Sequence, residues 1–93
     1  MSYRFNLPVM MIKEGDTFVA YTPALDLSTS GRTLKEAQDN FVEAVNIFFD
    51  EIKEMDTVDE VLANLGWEKI KNEFTPPMVV GNHTESFSIP LSC

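Results

Sequence analysis

The segment Thr33-Leu34-Lys35-Glu36, with the apolar stripe behind it, restricts the fold of this chain more than any other feature. Threonine three residues before glutamate is a capping box, in which hydroxyl and carboxylate satisfy backbone N–H groups left free at a helix start. Leu34, Ala37, Phe41, Ala44, Val45, Phe48, Ile52 and Met55 then recur at three- and four-residue spacing, which predicts a long helix with one buried face. Such a helix must lay its stripe on another element. Val42, Ile47 and Phe49 fall off the stripe. Either the buried face is wide, or these three form a second apolar patch that meets another copy of the chain.

A sheet is the expected support. Residues 3–12 alternate, with Tyr3, Phe5, Leu7, Val9 and Met11 on one side, the period of a half-buried strand. Pro8 cannot donate to a ladder, so this strand belongs at an edge or breaks there. Glu14-Gly15-Asp16 reads as a tight hairpin turn. Thr17 to Thr22 is a second strand ended by Pro23, and Leu27 to Ser30 a shorter third, closed by Gly31.

Beyond the long helix, Thr57-Val58-Asp59-Glu60 forms a second capping box ahead of Val58, Val61, Leu62 and Leu65, with Gly66 placed as the glycine that ends a helix. Trp67 is expected in an apolar site, and Lys69 to Phe74 as a further helical turn or irregular chain. Thr75-Pro76-Pro77 stops any helix. Phe87, Ile89 and Leu91 alternate in the tail, which predicts a last strand over 85–91. The expected fold is α+β, a single domain over residues 1–93. Its antiparallel sheet of three to four strands is packed by one long and one short helix in the order β-β-β-α-α-β.

Charge narrows the partners. Seven basic against fifteen acidic residues give a net −8 in 93 residues, and the field of such a chain repels phosphate. Arg4, Lys13, Arg32, Lys35, Lys53, Lys69 and Lys71 form no run. Direct nucleic-acid binding is therefore not expected, whereas a basic protein would be attracted. A chain of this size buries only about 60–65% of its unfolded surface, so self-association would add stability. No apolar run reaches the ~20 residues of a membrane helix, and no signal-like succession opens the sequence. Cys93, the single cysteine and the last residue, permits no internal disulfide. Together these features predict a cytoplasmic protein.

Catalytic patterns are missing. His83 is the lone histidine, its nearest carboxylate in sequence being Glu85, and one histidine makes no metal site without further ligands. Cys93 has no neighbour to lower its pKa. The glycines are isolated at turns, with no phosphate-binding loop. Asp16, Asp26, Asp39 and Asp50 would need to converge to hold two metals. Instead Asp39, Glu43, Asp50, Glu51 and Glu54 fall mainly on the polar side of the helix, as a solvated face. Asn82-His83-Thr84 fits a glycosylation sequon, an accidental match in a chain without a secretion signal. No cofactor, metal or enzymatic activity is expected.

Residues 17–52 carry a resemblance. Phe18-Val19-Ala20-Tyr21-Thr22-Pro23-Ala24-Leu25-Asp26 resembles the YVAYxPELxG strand of HicB-like antitoxins. Ser30-Gly31-Arg32-Thr33-Leu34-Lys35-Glu36-Ala37 is similar to that family's SxGxTxEEAxxN segment, with Asn40 in the asparagine position. Phe41, Glu43-Ala44-Val45 and Phe48-Phe49 match its helix, and Leu65-Gly66-Trp67 resembles a segment of some short members. Asp26-Leu27-Ser28 stands where the family often has Pro-Gly-Cys, and Ala24 where it has glutamate. Residues 56–93 hold no basic recognition helix, although many members carry a C-terminal DNA-binding segment. The resemblance implies a partial RNase H-like fold without nuclease carboxylates and without the DNA-binding module.

Two functions follow as expectations. In the first, the chain is the antitoxin of a type II toxin-antitoxin system, covering the RNA-binding face of a small, basic, mRNA-cleaving HicA-type toxin. Asp16, Asp26 and Glu36 would supply charged contacts, through the connection between the second and third strands and the start of the long helix. In the second, it is an orphan HicB-like domain, a homodimer or homotetramer joined through Val42, Ile47 and Phe49, that binds another protein or a small ligand. An active or degenerate nuclease ranks behind both, since it needs converging acids.

Overall fold

In a computed structural model, residues 4–91 are described. Three strands, β1 (Met10–Glu14), β2 (Thr17–Thr22) and β3 (Leu27–Gly31), form an antiparallel sheet in the order β1-β2-β3. Helices α1 (Leu34–Glu54) and α2 (Val58–Asn64) follow, then a two-stranded sheet of β4 (Glu68–Ile70) and β5 (Glu73–Thr75). The class is α+β, opening β-β-β-α-α as the sequence predicts.

Each element has a local cause. Gly15, at φ 59°, occupies the first central position of the two-residue β1–β2 turn, closed by the pair Glu14–Thr17. That is the place where a type II′ hairpin turn requires positive φ. Thr33 is extended and its Oγ1 accepts the Glu36 N–H at 3.0 Å, so the threonine half of the first capping box is formed. α1 ends on Asp56 at φ 55°, with Asp56 N–H donating to the Lys53 carbonyl and Thr57 N–H to that of Ile52. This is the Schellman closure, with aspartate where glycine is usual. α2 ends the same way on Gly66, at φ 90°, with Trp67 N–H reaching the Leu62 carbonyl at 2.9 Å.

Four expectations are corrected. The first strand begins at Met10, not at residue 3: in this register Val9 falls opposite Thr22, the last residue of β2, and Pro8 and the residues before it have no strand beside them. Phe5 instead packs 5.3 Å from Phe49 and 5.2 Å from Trp67, ring centre to ring centre. Tyr3 lies outside the described residues. The second capping box is not made: Thr57 also closes α1, and its hydroxyl points back to the Ile52 carbonyl at 3.4 Å. Residues 68–75 form a hairpin, not helix or irregular chain, turning on Lys71 and Asn72 at φ 52° and 67°. Two successive positive φ values define a type I′ turn. The tail pairs with nothing, and residues 76–91 contain no strand.

The core has two parts. Ala20, Ala37 and Phe41 pack with Met11, Phe18 and Val45 where α1 crosses the sheet. Ala24, Leu25, Ile52, Leu62 and Trp67 form the second part, flanked by Phe5, Leu7, Phe48 and Phe49. Trp67 ties the segment after α2 to the β2–β3 turn by donating its Nε1–H to the Ala24 carbonyl at 2.7 Å. Gly31 is no turn glycine. A Cβ there would lie 2.5 Å from the Ala37 nitrogen and 2.8 Å from the Glu36 carbonyl carbon, so only glycine lets β3 approach α1 this closely. Asn40 fixes the same junction by donating to the Ser30 carbonyl at 2.9 Å.

Candidate protein-binding surface

Strand pairing decides which side chains are available. Phe18 pairs with Gly31, Ala20 with Thr29 and Met11, and Thr22 with Leu27. Ala20 and Thr22 are fully buried, so this set faces α1. Successive residues point to opposite faces, which puts Met10, Ile12, Val19 and Tyr21 on the other side of the sheet. Met10 and Ile12 are exposed there, beside half-buried Val19 and Tyr21. Neither helix covers this face, since α1 packs on the opposite one. An apolar cluster on an open sheet face, rimmed by polar residues, is the kind of surface that marks a protein interface.

Asp26 stands at the rim. It occupies the β2–β3 turn in a left-handed conformation (φ 49°), which aspartate tolerates better than most residues. Tyr21 donates its hydroxyl to Asp26 Oδ1 at 3.1 Å. That hydrogen bond, then desolvation and the charge of Asp26, raises the tyrosine pKa above its ordinary value. The pair offers a partner one carboxylate and one aromatic ring, held in fixed relation.

The three acids do not form one patch. Asp16 lies at the tip of the β1–β2 turn, and Glu36 in the first turn of α1, near the end of the sheet where Gly31 pairs with Phe18. Asp26 is beyond the other end of β2, and a six-residue strand is about 20 Å long. All three are exposed. The open-face cluster was hidden in the sequence, although the alternation of Met10 and Ile12 with Met11 was its available signal.

The three apolar candidates also separate. Phe49 belongs to the core: it packs 5.5 Å from Phe48 and 6.2 Å from Trp67, so the buried face of α1 is wide there. Val42 and Ile47 remain 60% and 50% exposed. Val42 lines a groove of about 340 Å³ between α1 and the segment leading into β1, together with Phe5, Leu7, Val9, Phe41 and Val45. A second hollow, lined by Val9, Met11, Gln38, Phe41 and Val42, lies beside it and shares three of those residues.

On the outer side of α1, Lys35 pairs with Asp39 at 2.9 Å and Lys53 with Asp50 at 3.4 Å. Glu43, Glu51 and Glu54 are exposed on the same helix. His83 Nε2 contacts Glu85 Oε1 at 2.7 Å on the exposed tail. Among the described residues, no three His, Cys, Asp or Glu side chains come together as metal ligands would. No helix among the described residues is long and apolar enough to cross a membrane. Compared with protein-family models, curated proteins and solved structures, the chain finds no match to any.

Proposed function

We propose that this chain is an antitoxin-like protein-binding module, which neutralises a small, basic, mRNA-cleaving toxin of the HicA type by covering its RNA-binding face. The observation that carries the reading is the open sheet face of Met10, Ile12, Val19 and Tyr21, rimmed by Asp26, on a chain of net charge −8. A protein that binds RNA is basic, so the field of this chain steers it inward, raising the association rate by ~10–1000-fold. The apolar cluster then supplies burial, and Asp26 a charge-assisted contact for an arginine or lysine. Asp16 and Glu36 contribute to steering from the other end of the sheet. Nothing in this inhibition requires chemistry in the chain itself, a cofactor or a contact with nucleic acid, and it operates in the cytoplasm.

The resemblance to HicB-like antitoxins supports the same reading. Its quoted residues fall on β2, the β2–β3 turn and the β3–α1 junction, where Gly31, Thr33 and Asn40 have the specific structural tasks described above. Co-expression with the adjacent open reading frames, tag pull-down and mass spectrometry test it. The expected result is a small basic partner whose RNA cleavage stops on mixing, and whose binding weakens in a folded Asp26→Lys variant. Recovery of self-associated protein alone, beside no toxic neighbour, would defeat the reading. It would leave the second one, an orphan oligomeric HicB-like domain, which the exposed apolar tail and the Val42 groove favour.

A further inference from the structure

The tail is apolar and strand-patterned, yet it touches nothing that could bury it. Phe87, Ile89 and Leu91 are 79%, 72% and 83% exposed. The radius of gyration is 16.2 Å, against about 12 Å for a compact chain of this length, and the molecule extends to 53 Å. Pro76 and Pro77 follow β5 directly and favour an extended exit from the body.

One edge of the sheet is equally unsatisfied. β1 is an outer strand, and in its pairing with β2 the turn-closing pair Glu14–Thr17 exchanges hydrogen bonds, as do Ile12–Val19 and Met10–Tyr21 by alternation. The backbone groups of Met11 and Lys13 therefore point away from β2, and those of Val9 do so as the strand is extended. Their side chains lie on the face toward α1, where Val9, Met11, Phe41 and Val42 line the hollow that adjoins the Val42 groove.

We infer that residues 85–91 of a second copy add to the β1 edge as a fourth, antiparallel strand, filling the Val42 groove, with the exchange made reciprocally in a two-fold dimer. Five features of the sequence select one arrangement. In a strand, alternate residues share both a face and a hydrogen-bonding edge, so Phe87, Ile89 and Leu91 present apolar side chains and backbone groups together. Pro90 then directs its missing N–H outward, with Ser86 and Ser88 facing solvent. Pairing Phe87 with Met11 and Ile89 with Val9 brings Leu91 toward Leu7, at the far end of the groove. The same register sets Glu85 opposite Lys13, an exposed cation with no ion pair among the described residues. Pro8 meets Pro90 at a pair whose N–H groups face away from the new interface. The opposite setting of the arm would turn the serines into the groove and aim Pro90 at β1. The inference is independent of the antitoxin reading, which uses the other face of the sheet.

Light scattering after size-exclusion chromatography of the full chain tests it, over a range of concentrations. The expected result is a dimer. Ile89→Asp and Val42→Asp each weaken it by more than about tenfold, because a carboxylate would enter an apolar groove, while circular dichroism stays unchanged at these exposed positions. Lys13→Glu and Glu85→Lys weaken it singly and restore it together. A monomeric wild-type chain would overturn the inference, including one whose Ile89 amide is protected from hydrogen exchange, since that arm would occupy its own groove. A dimer of unchanged strength in Ile89→Asp would overturn it as well.

Discussion

Asp56 and Tyr21 are the residues at which local chemistry is most open to measurement. Asp56 holds the left-handed position that closes α1, a conformation that costs an L-residue free energy and costs glycine little. Asp56→Gly is expected to stabilise the fold by about 0.5–1 kcal/mol, visible as a melting temperature raised by roughly 2–8 °C. An unchanged or lower melting temperature would contradict this account of the turn. Tyr21 donates to Asp26, so folding favours the protonated phenol and raises its pKa. The linked stability is present below the ordinary tyrosine value of about 10 and is lost as pH rises through the higher folded value. Ultraviolet titration should detect the raised phenol, and Asp26→Asn should return it toward its ordinary range.

Gly31 and Trp67 matter for how elements meet. The β3–α1 contact leaves no room for a methyl group, because the atoms that would block it are mostly helix backbone. Gly31→Ala is expected to cost about 1–3 kcal/mol, the range of overpacking. Urea denaturation would register it as a lower midpoint at unchanged slope. Trp67 ties the segment after α2 to the β2–β3 turn through a buried hydrogen bond. Trp67→Phe retains most of the aromatic packing but leaves the Ala24 carbonyl unpaired, with an expected loss of about 1–3 kcal/mol. Stability equal to wild type would mean that water replaces the indole at no cost.

At the scale of the molecule, charge and unfinished surface act together. Seven cations among fifteen anions leave a field that falls off over about 8 Å at physiological ionic strength. Association with a basic partner is therefore expected to slow markedly with added salt while dissociation changes little, a difference that stopped-flow mixing separates. The arm, in contrast, is held by apolar burial and strand pairing. Its dimer should persist at salt concentrations that slow the partner. Opposite salt responses of the two contacts would show that steering and burial had been assigned to the wrong surfaces.

Local sequence determined the parts that depend on neighbours within one turn or one hairpin. Thr33 begins α1, Gly15 turns β1 into β2, Gly66 ends α2, and the stripe on α1 selects its buried side. Each follows from backbone geometry that a few adjacent residues settle. The candidate acids Asp16, Asp26 and Glu36 were legible as exposed residues, but not as two groups at opposite ends of the sheet. Only the tertiary structure decided where alternation becomes a strand, since residues 5–9 and 85–91 share the pattern of β1 and lack a paired edge. It also placed Phe49 in the core and Val42 on a groove, seven residues apart on the same helix, because Phe5 and Trp67 pack on the one, while Phe5, Leu7 and Val9 border the other and leave it open. Periodicity specifies which way a side chain points. What stands opposite it is fixed by residues distant along the chain.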